Sequence, residues 1–341
     1  MKRNLLLTLL LAWVALSCQH KDLGEDLCGG NVGDKSIKVV INWDEPNTQA
    51  RTMRINLFSQ TPGVGDYGRD NVTTSGEKYI NLDEGVDYRP FCYDYNASNI
   101  YFRNETEMDA FEAYFSGATR ATYNKYAAPV INEKTVNSPV GSEFYVHAWE
   151  ENFSTYFTNN EKELVLNFYP KNILRQFTYR VNKIIGSEYV KDARGAASGM
   201  AAVYIFHTNN STDTRSTMLF SNVKVGYDEK KGYGYLEGEF YTFAPRAPYE
   251  NWFTMEVYSK SSAYYNASWN VSGQIQESMT DRPAKLARDG YDILIENDPN
   301  SDESGGGIPE IDPGNPGEGG SGSGFEIGVG EWGDEVIVEL K

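Results

Sequence analysis

Histidine and cysteine are scarce in this chain, three of each among 341 residues. Zinc fingers, iron–sulfur clusters and disulfide-dense scaffolds need more ligating or bridging side chains than that, so each is excluded. Basic residues are also short, 31 Lys and Arg against 48 Asp and Glu, for a net charge of −17. A surface of that sign repels phosphate, so no nucleic-acid partner and no direct adhesion to anionic head groups are expected. The sequence contains no P-loop, no G-x-S-x-G elbow and no H-E-x-x-H. Acidic residues are spread too evenly for a carboxylate pair to be nominated. Two G-x-G-x-x-G matches, at 63–68 and 328–333, open no helical pattern and read as turns. The expectation is a protein that is not an enzyme, with no cofactor and no metal.

Long apolar runs are missing too, with one exception. Residues 5–16 are apolar apart from Thr8 and follow Lys2 and Arg3. The run is too short to cross a bilayer and fits the core of a secretory signal peptide over 1–17. It closes on Ala15-Leu16-Ser17-Cys18, which resembles the bacterial lipobox. That resemblance implies cleavage before Cys18 and acylation of its thiol and new amine, palmitate among the chains. The protein would then be anchored in the cell outer membrane. Several chains on one residue hold firmly where one is marginal. Residues 18–35, with Asp22, Glu25, Asp26, Gly29, Gly30 and Gly33, read as a flexible tether. Acidic residues so soon after the Cys resemble a surface-export signal of Bacteroidota lipoproteins.

Aromatic residues are plentiful: Tyr 24, Phe 16 and Trp 6. Short alternating or β-branched runs recur at 36–43, 52–58, 78–82, 88–95, 144–149, 163–169, 175–184, 201–207, 218–226, 234–243, 252–258, 269–276 and 291–296. Gly, Asn, Asp and Ser turns separate them, which predicts an all-β chain of sandwich type with few short helices. One helix is expected at 105–116, capped by Asn104, with Met108, Phe111, Tyr114 and Phe115 on one face. A weaker helical turn is expected from Asp281. The best break is at residues 170–172, predicting an N-terminal domain over 36–171 and a C-terminal domain over 172–341. Residues 297–324 hold nine Gly and six acidic residues and read as a flexible loop unable to bury a core. Strand patterns return over 325–341: Phe325, Ile327 and Val329 alternate, as do Val336, Val338 and Leu340.

A family resemblance rests on Cys18 to Leu23 and on the segments 37–43, 53–58, 81–95 and 99–104. In the second half it rests on 175–181, on Ala193-Arg-Gly-Ala-Ala-Ser-Gly-Met-Ala201 and on 332–336. With these the chain resembles uncharacterised Bacteroidota lipoproteins similar to fimbrillins and to the anchor subunits of type V pili. The resemblance implies two tandem transthyretin-like β-sandwich domains and a fimbrial or cell-adhesion role, with other pilus subunits as partners. Such subunits join by strand donation. Phe325, Ile327, Val329, Val336, Val338 and Leu340 are the candidates for that role, or for completing their own domain. Arg51 is not marked out as a processing site.

Weaker candidates stay open. His147 and His207 sit in strand patterns. Cys28 and Cys92 would be free to pair outside the cytoplasm. Residues 298–302 begin like a calcium loop, but Glu303 stands where Gly belongs. Tyr264, Tyr265 and Trp269 could stack on a sugar, which gives the alternative reading of an outer-membrane glycan-binding lipoprotein of a nutrient-uptake system.

Overall fold

A computed structural model describes residues 35–43, 52–72, 76–118, 133–139, 141, 143–148, 151–158, 161–280, 288–301 and 306–312. The first half contributes β1 (Ser36–Ile41), β2 (Met53–Ser59), β3 (Tyr67–Val72), β4 (Glu77–Ile80), β5 (Asp87–Asp94), β6 (Ile100–Arg103) and β7 (Glu112–Phe115). It continues with β8 (Lys134–Asn137), β9 (Tyr145–His147), β10 (Phe153–Ser154) and β11 (Glu163–Phe168). Then come β12 (Lys171–Asn172), β13 (Leu174–Ile184), β14 (Val190–Ala201), β15 (Val203–Ile205), β16 (Asn210–Ser211) and β17 (Arg215–Phe220). The last elements are β18 (Val223–Asp228), β19 (Tyr233–Phe243), β20 (Trp252–Ser259), β21 (Tyr264–Asn270), helix α1 (Ser272–Thr280) and β22 (Ile293–Glu296). The chain is all-β, as expected.

Alternation explains the first layers. Ile37, Val39 and Ile41 point inward from β1, in the sheet β11-β1-β4. They pack on Ile55, Leu57, Tyr88 and Cys92 of the sheet β12-β9-β5-β2-β3. In β5 the run from Pro90 to Asp94 is buried without a break, the signature of a sheet covered on both faces. Its second face carries Phe58, Phe91 and Tyr93, which belong to a different apolar cluster. There they meet Phe111 and Phe206, stacked with ring centroids 3.9 Å apart, from the sheet β16-β15-β7-β6. That sheet draws strands from both sides of residue 172.

Apart from β10, which pairs with β5, the remaining strands form two layers joined at a corner, where β14 and β19 meet only at Ala201–Phe243. One layer is β8-β17-β14-β20-β21 and the other β18-β19-β13-β22. They face each other: Tyr179 meets Phe253 at 4.9 Å, and Phe220 stacks on Phe240 at 5.0 Å. The run of small residues in β14 has a packing cause, since a Cβ on Gly195 would lie 2.2 Å from the Phe220 ring.

Four expectations are corrected. Residues 105–116 are not a helix. Asn104 takes φ +56°, a short 3-10 turn covers Met108–Ala110, and β7 follows. Phe111, Ala113 and Phe115 are buried at period two, which outweighs the accidental three-to-four spacing. The expected strand at 269–276 ends at Asn270, and α1 starts at Ser272, whose hydroxyl donates to Asn270 at 2.7 Å. The expected strand at 218–226 breaks after Phe220, so that β17 lies in one layer and β18 in the other. Finally, part of 297–324 is not a free loop, because Ile308 and Ile311 are buried in the larger core. The helical turn from Asp281 lies outside the described residues.

Candidate functional site

Strand edges and the segment that leads toward residues 325–341 are the features of this fold that bear on assembly. The outer edge of β22 is closed by a side chain. The Gln274 amide, on α1, donates to the Leu294 carbonyl at 3.1 Å and accepts from the Leu294 N–H at 2.7 Å. It thus satisfies the backbone as a further strand would. The edge of β3 is partly closed by Lys78, which reaches the Asn71 carbonyl at 3.3 Å.

Two edges are open. β11 pairs with β1 in parallel, and Ser36 and Asn42 donate to Lys162 and Phe168. The even-numbered residues of β11 therefore face β1. The backbone groups of Glu163, Val165 and Asn167 point away, where no described strand pairs with them. At the end of this edge the Tyr169 N–H donates to His147 Nδ1 at 3.1 Å, a structural use of that histidine.

β18 pairs with β19 alone among the described strands. Its outward face is locked to β19 and β13. The Glu237 carboxylate accepts from Lys224 at 2.9 Å, from Tyr291 at 2.7 Å and from Arg180 at 3.2 Å, with the Arg180 guanidinium 3.6 Å over the Tyr235 ring. Burial works against ionisation of Glu237, but the hydrogen bonds from Lys224 and Tyr291 and the Arg180 charge outweigh it, so its carboxyl is held below its usual range. The inward face carries Val223, Val225 and Tyr227. Val225 is opposite buried Leu236, and Val223 packs on the core. Yet Val225 is 37% and Tyr227 56% exposed. Apolar side chains that face a core and still meet water mark a sandwich flank left uncovered.

The chain leaves the described structure past the Ile185 end of β13, where the Asp312 carbonyl accepts from the Ser261 hydroxyl at 3.4 Å. Asn297, buried, donates its amide to the carbonyls of Ile308 at 2.8 Å and Lys183 at 3.2 Å, and accepts from the Ile308 N–H at 2.8 Å. Ile311 then donates to Ile185, whose side chain is 45% exposed. Gly186 lets the strap pass: at φ +78°, a Cβ there would sit 2.2 Å from the Ile311 carbonyl. The sequence signal for this strap was two isoleucines three apart in an otherwise polar stretch. Cys18, Phe325, Ile327, Val329, Val336, Val338 and Leu340 lie outside the described residues.

The weaker candidates separate. Tyr264 and Tyr265 are on opposite faces of β21. Tyr265 is buried in the core and Trp269 packs against it. Tyr264 donates to buried Glu256 at 2.6 Å, beside Arg194 and Tyr258. The three rings therefore present no shared platform to a sugar. Gly63 sits in a turn at φ +82° that leads into β3, not a helix. The Asp298 carboxylate accepts from the Asn300 N–H at 3.0 Å, closing a local turn. His207 is exposed. Cys92 is buried, and that burial, with Asp94 nearby, pushes its thiol well up; Cys28 lies outside the described residues. Among the described residues no three His, Cys, Asp or Glu side chains gather as a metal site, and no helix is long and apolar enough to cross a membrane.

Solved structures share this architecture. An adhesin candidate from Bacteroides ovatus matches with TM-score 0.55 and 15% identity, over 82% of this chain and 92% of that one. A second adhesin candidate from Bacteroides ovatus matches with TM-score 0.50 and 12% identity, over 80% and 90%. The fimbrial anchor protein Mfa2 from Porphyromonas gingivalis matches with TM-score 0.47 and 11% identity, over 72% and 86%. A comparison with curated proteins finds no sequence match. Residues 17–221 match the model of a domain of unknown function, DUF5119, and with most of its length matched the chain belongs to the DUF5119 family.

Proposed function

We propose that this protein is a lipid-anchored cell-surface protein of the fimbrial-subunit or adhesin type, which joins its partners by β-strand complementation and does no chemistry of its own. The observation that carries the reading is the architecture held in common with an adhesin candidate over 92% of that chain. The lipobox-like Leu16-Ser17-Cys18 supports the anchor. The open edges of β11 and β18, with the alternating residues 325–329 and 336–340, support complementation.

The mechanism is associative. Lipid on Cys18 holds the outer membrane, residues 18–35 give reach, and the sandwich layers carry the edges outward. A strand added to an edge gains backbone hydrogen bonds worth about 0.5–1.5 kcal/mol each, while alternate side chains fill pockets and select the partner. Other pilus subunits are the partners that suit these edges. Membrane fractionation of the Cys18→Ala variant tests the anchor: the variant is expected in the soluble fraction, and undiminished membrane association would overturn that part.

A further inference from the structure

We infer that residues 325–329 dock in cis along the open edge of β18, covering the flank that Val225 and Tyr227 leave exposed. This deepens the complementation reading and rests on it, by naming the groove that holds one of the two C-terminal strands at rest.

The argument is geometric. Ile311 is hydrogen-bonded to Ile185, Ile184 pairs with Gly234, and Gly234 pairs with Tyr227. The chain therefore exits roughly three strand spacings, about 15 Å, from the end of β18. Twelve residues, 313–324, separate this exit from Phe325, and ten of them are Gly, Pro or Ser. Such a linker has a root-mean-square span of about 20 Å and a limit of about 40 Å. The span matches the gap, so the local concentration of the strand at its own flank is on the order of millimolar. A second copy at micromolar concentration does not compete with that.

The side chains match as well. Val223, Val225 and Tyr227 form a row of three on the inward face of β18. Phe325, Ile327 and Val329 would extend that row over the core, with Glu326 turned out to the side that already carries Lys224. β22, at the far edge of the same layer, needs no such cover because Gln274 closes it. Residues 336–340 then remain on a further length of chain, free for a partner.

The test is hydrogen exchange on the mature chain produced from residue 18 with Cys18→Ser. Ile327→Asp is expected to speed exchange of the β18 amides by on the order of tenfold or more, equally in dilute and concentrated samples, with β13 and β20 unchanged. Glu326→Lys and Val338→Asp leave β18 as it was. The milder Ile327→Ser gives the same pattern to a smaller extent, which keeps the test intact if the Asp variant does not fold. Protection of β18 that rises with protein concentration would mean that a second copy fills the groove, and would overturn docking in cis. If neither Ile327→Asp nor Val338→Asp changes exchange at any edge at any concentration, strand complementation itself fails.

Discussion

Replacing Asn297 by Ala measures what holds the strap over residues 306–312. The side chain is buried and makes three hydrogen bonds, to the Ile308 carbonyl, the Lys183 carbonyl and the Ile308 N–H. After truncation the strap has two courses. If it stays, two buried backbone groups of Ile308 lose their partner, at about 1–3 kcal/mol each. If it peels away, Ile308 and Ile311 meet water, at about 1.5–3 kcal/mol each. The cheaper course sets the loss, so about 2–4 kcal/mol is expected. Urea unfolding reads it as a midpoint lowered by roughly 1 M at a slope near 3 kcal/mol/M. Hydrogen exchange separates the courses, because peeling frees the Ile308 and Ile311 amides well below the global transition. A loss under about 1 kcal/mol with both amides still slow would refute the assignment of Asn297 as the clasp.

Three further outcomes follow from the same geometry. Glu256 is fully buried against Arg194, so Glu256→Ala should cost about 3–5 kcal/mol, while Arg194→Met with Glu256→Leu should come out near neutral by thermal unfolding; equal losses would contradict this. Gln274→Ala uncovers the β22 edge and should raise concentration-dependent light scattering well before it lowers the melting temperature by more than a few degrees. Glu237 and Asp70 are held below their ordinary values of 4.5 and 3.8 in the fold. Their stabilisation is therefore full above those values and is lost as pH falls through the lower folded ones. Urea midpoints should drop below about pH 4.5, and less steeply in Glu237→Gln.

The sequence carried the fold class because inward residues alternate plainly in strands such as β1 and β13. It misled at 105–116, where four apolar residues share a helical face by accident. What decided that segment is non-local: Phe111 stacks on Phe206 from the far half of the chain. It misled again at 218–226, because one apolar run crosses between two layers with only Ser221 and Asn222 to mark the corner. The open flank at β18 was invisible for the same reason, since Val223, Val225 and Tyr227 look like any buried strand row. The aromatic segment at 264–269 looked like a ligand platform because composition does not say which face a ring takes, and β21 sends neighbouring tyrosines to opposite sides. The strap was hidden by its surroundings, two isoleucines in a stretch whose composition argues for solvent.

The sheet that carries β2 and β5 has a thermodynamic consequence. Its two faces belong to different apolar clusters, one completed by β1, β4 and β11 and the other by β6 and β7 together with strands from beyond residue 172. Neither cluster can melt without stripping one side of a sheet the other needs. Heating should therefore give a single heat-absorption peak whose calorimetric and van't Hoff enthalpies agree, in place of two steps. A protease nick near residue 172 that parted the halves would strip Phe206 from Phe91 and Tyr93 and leave that cluster with only the cover of β6 and β7.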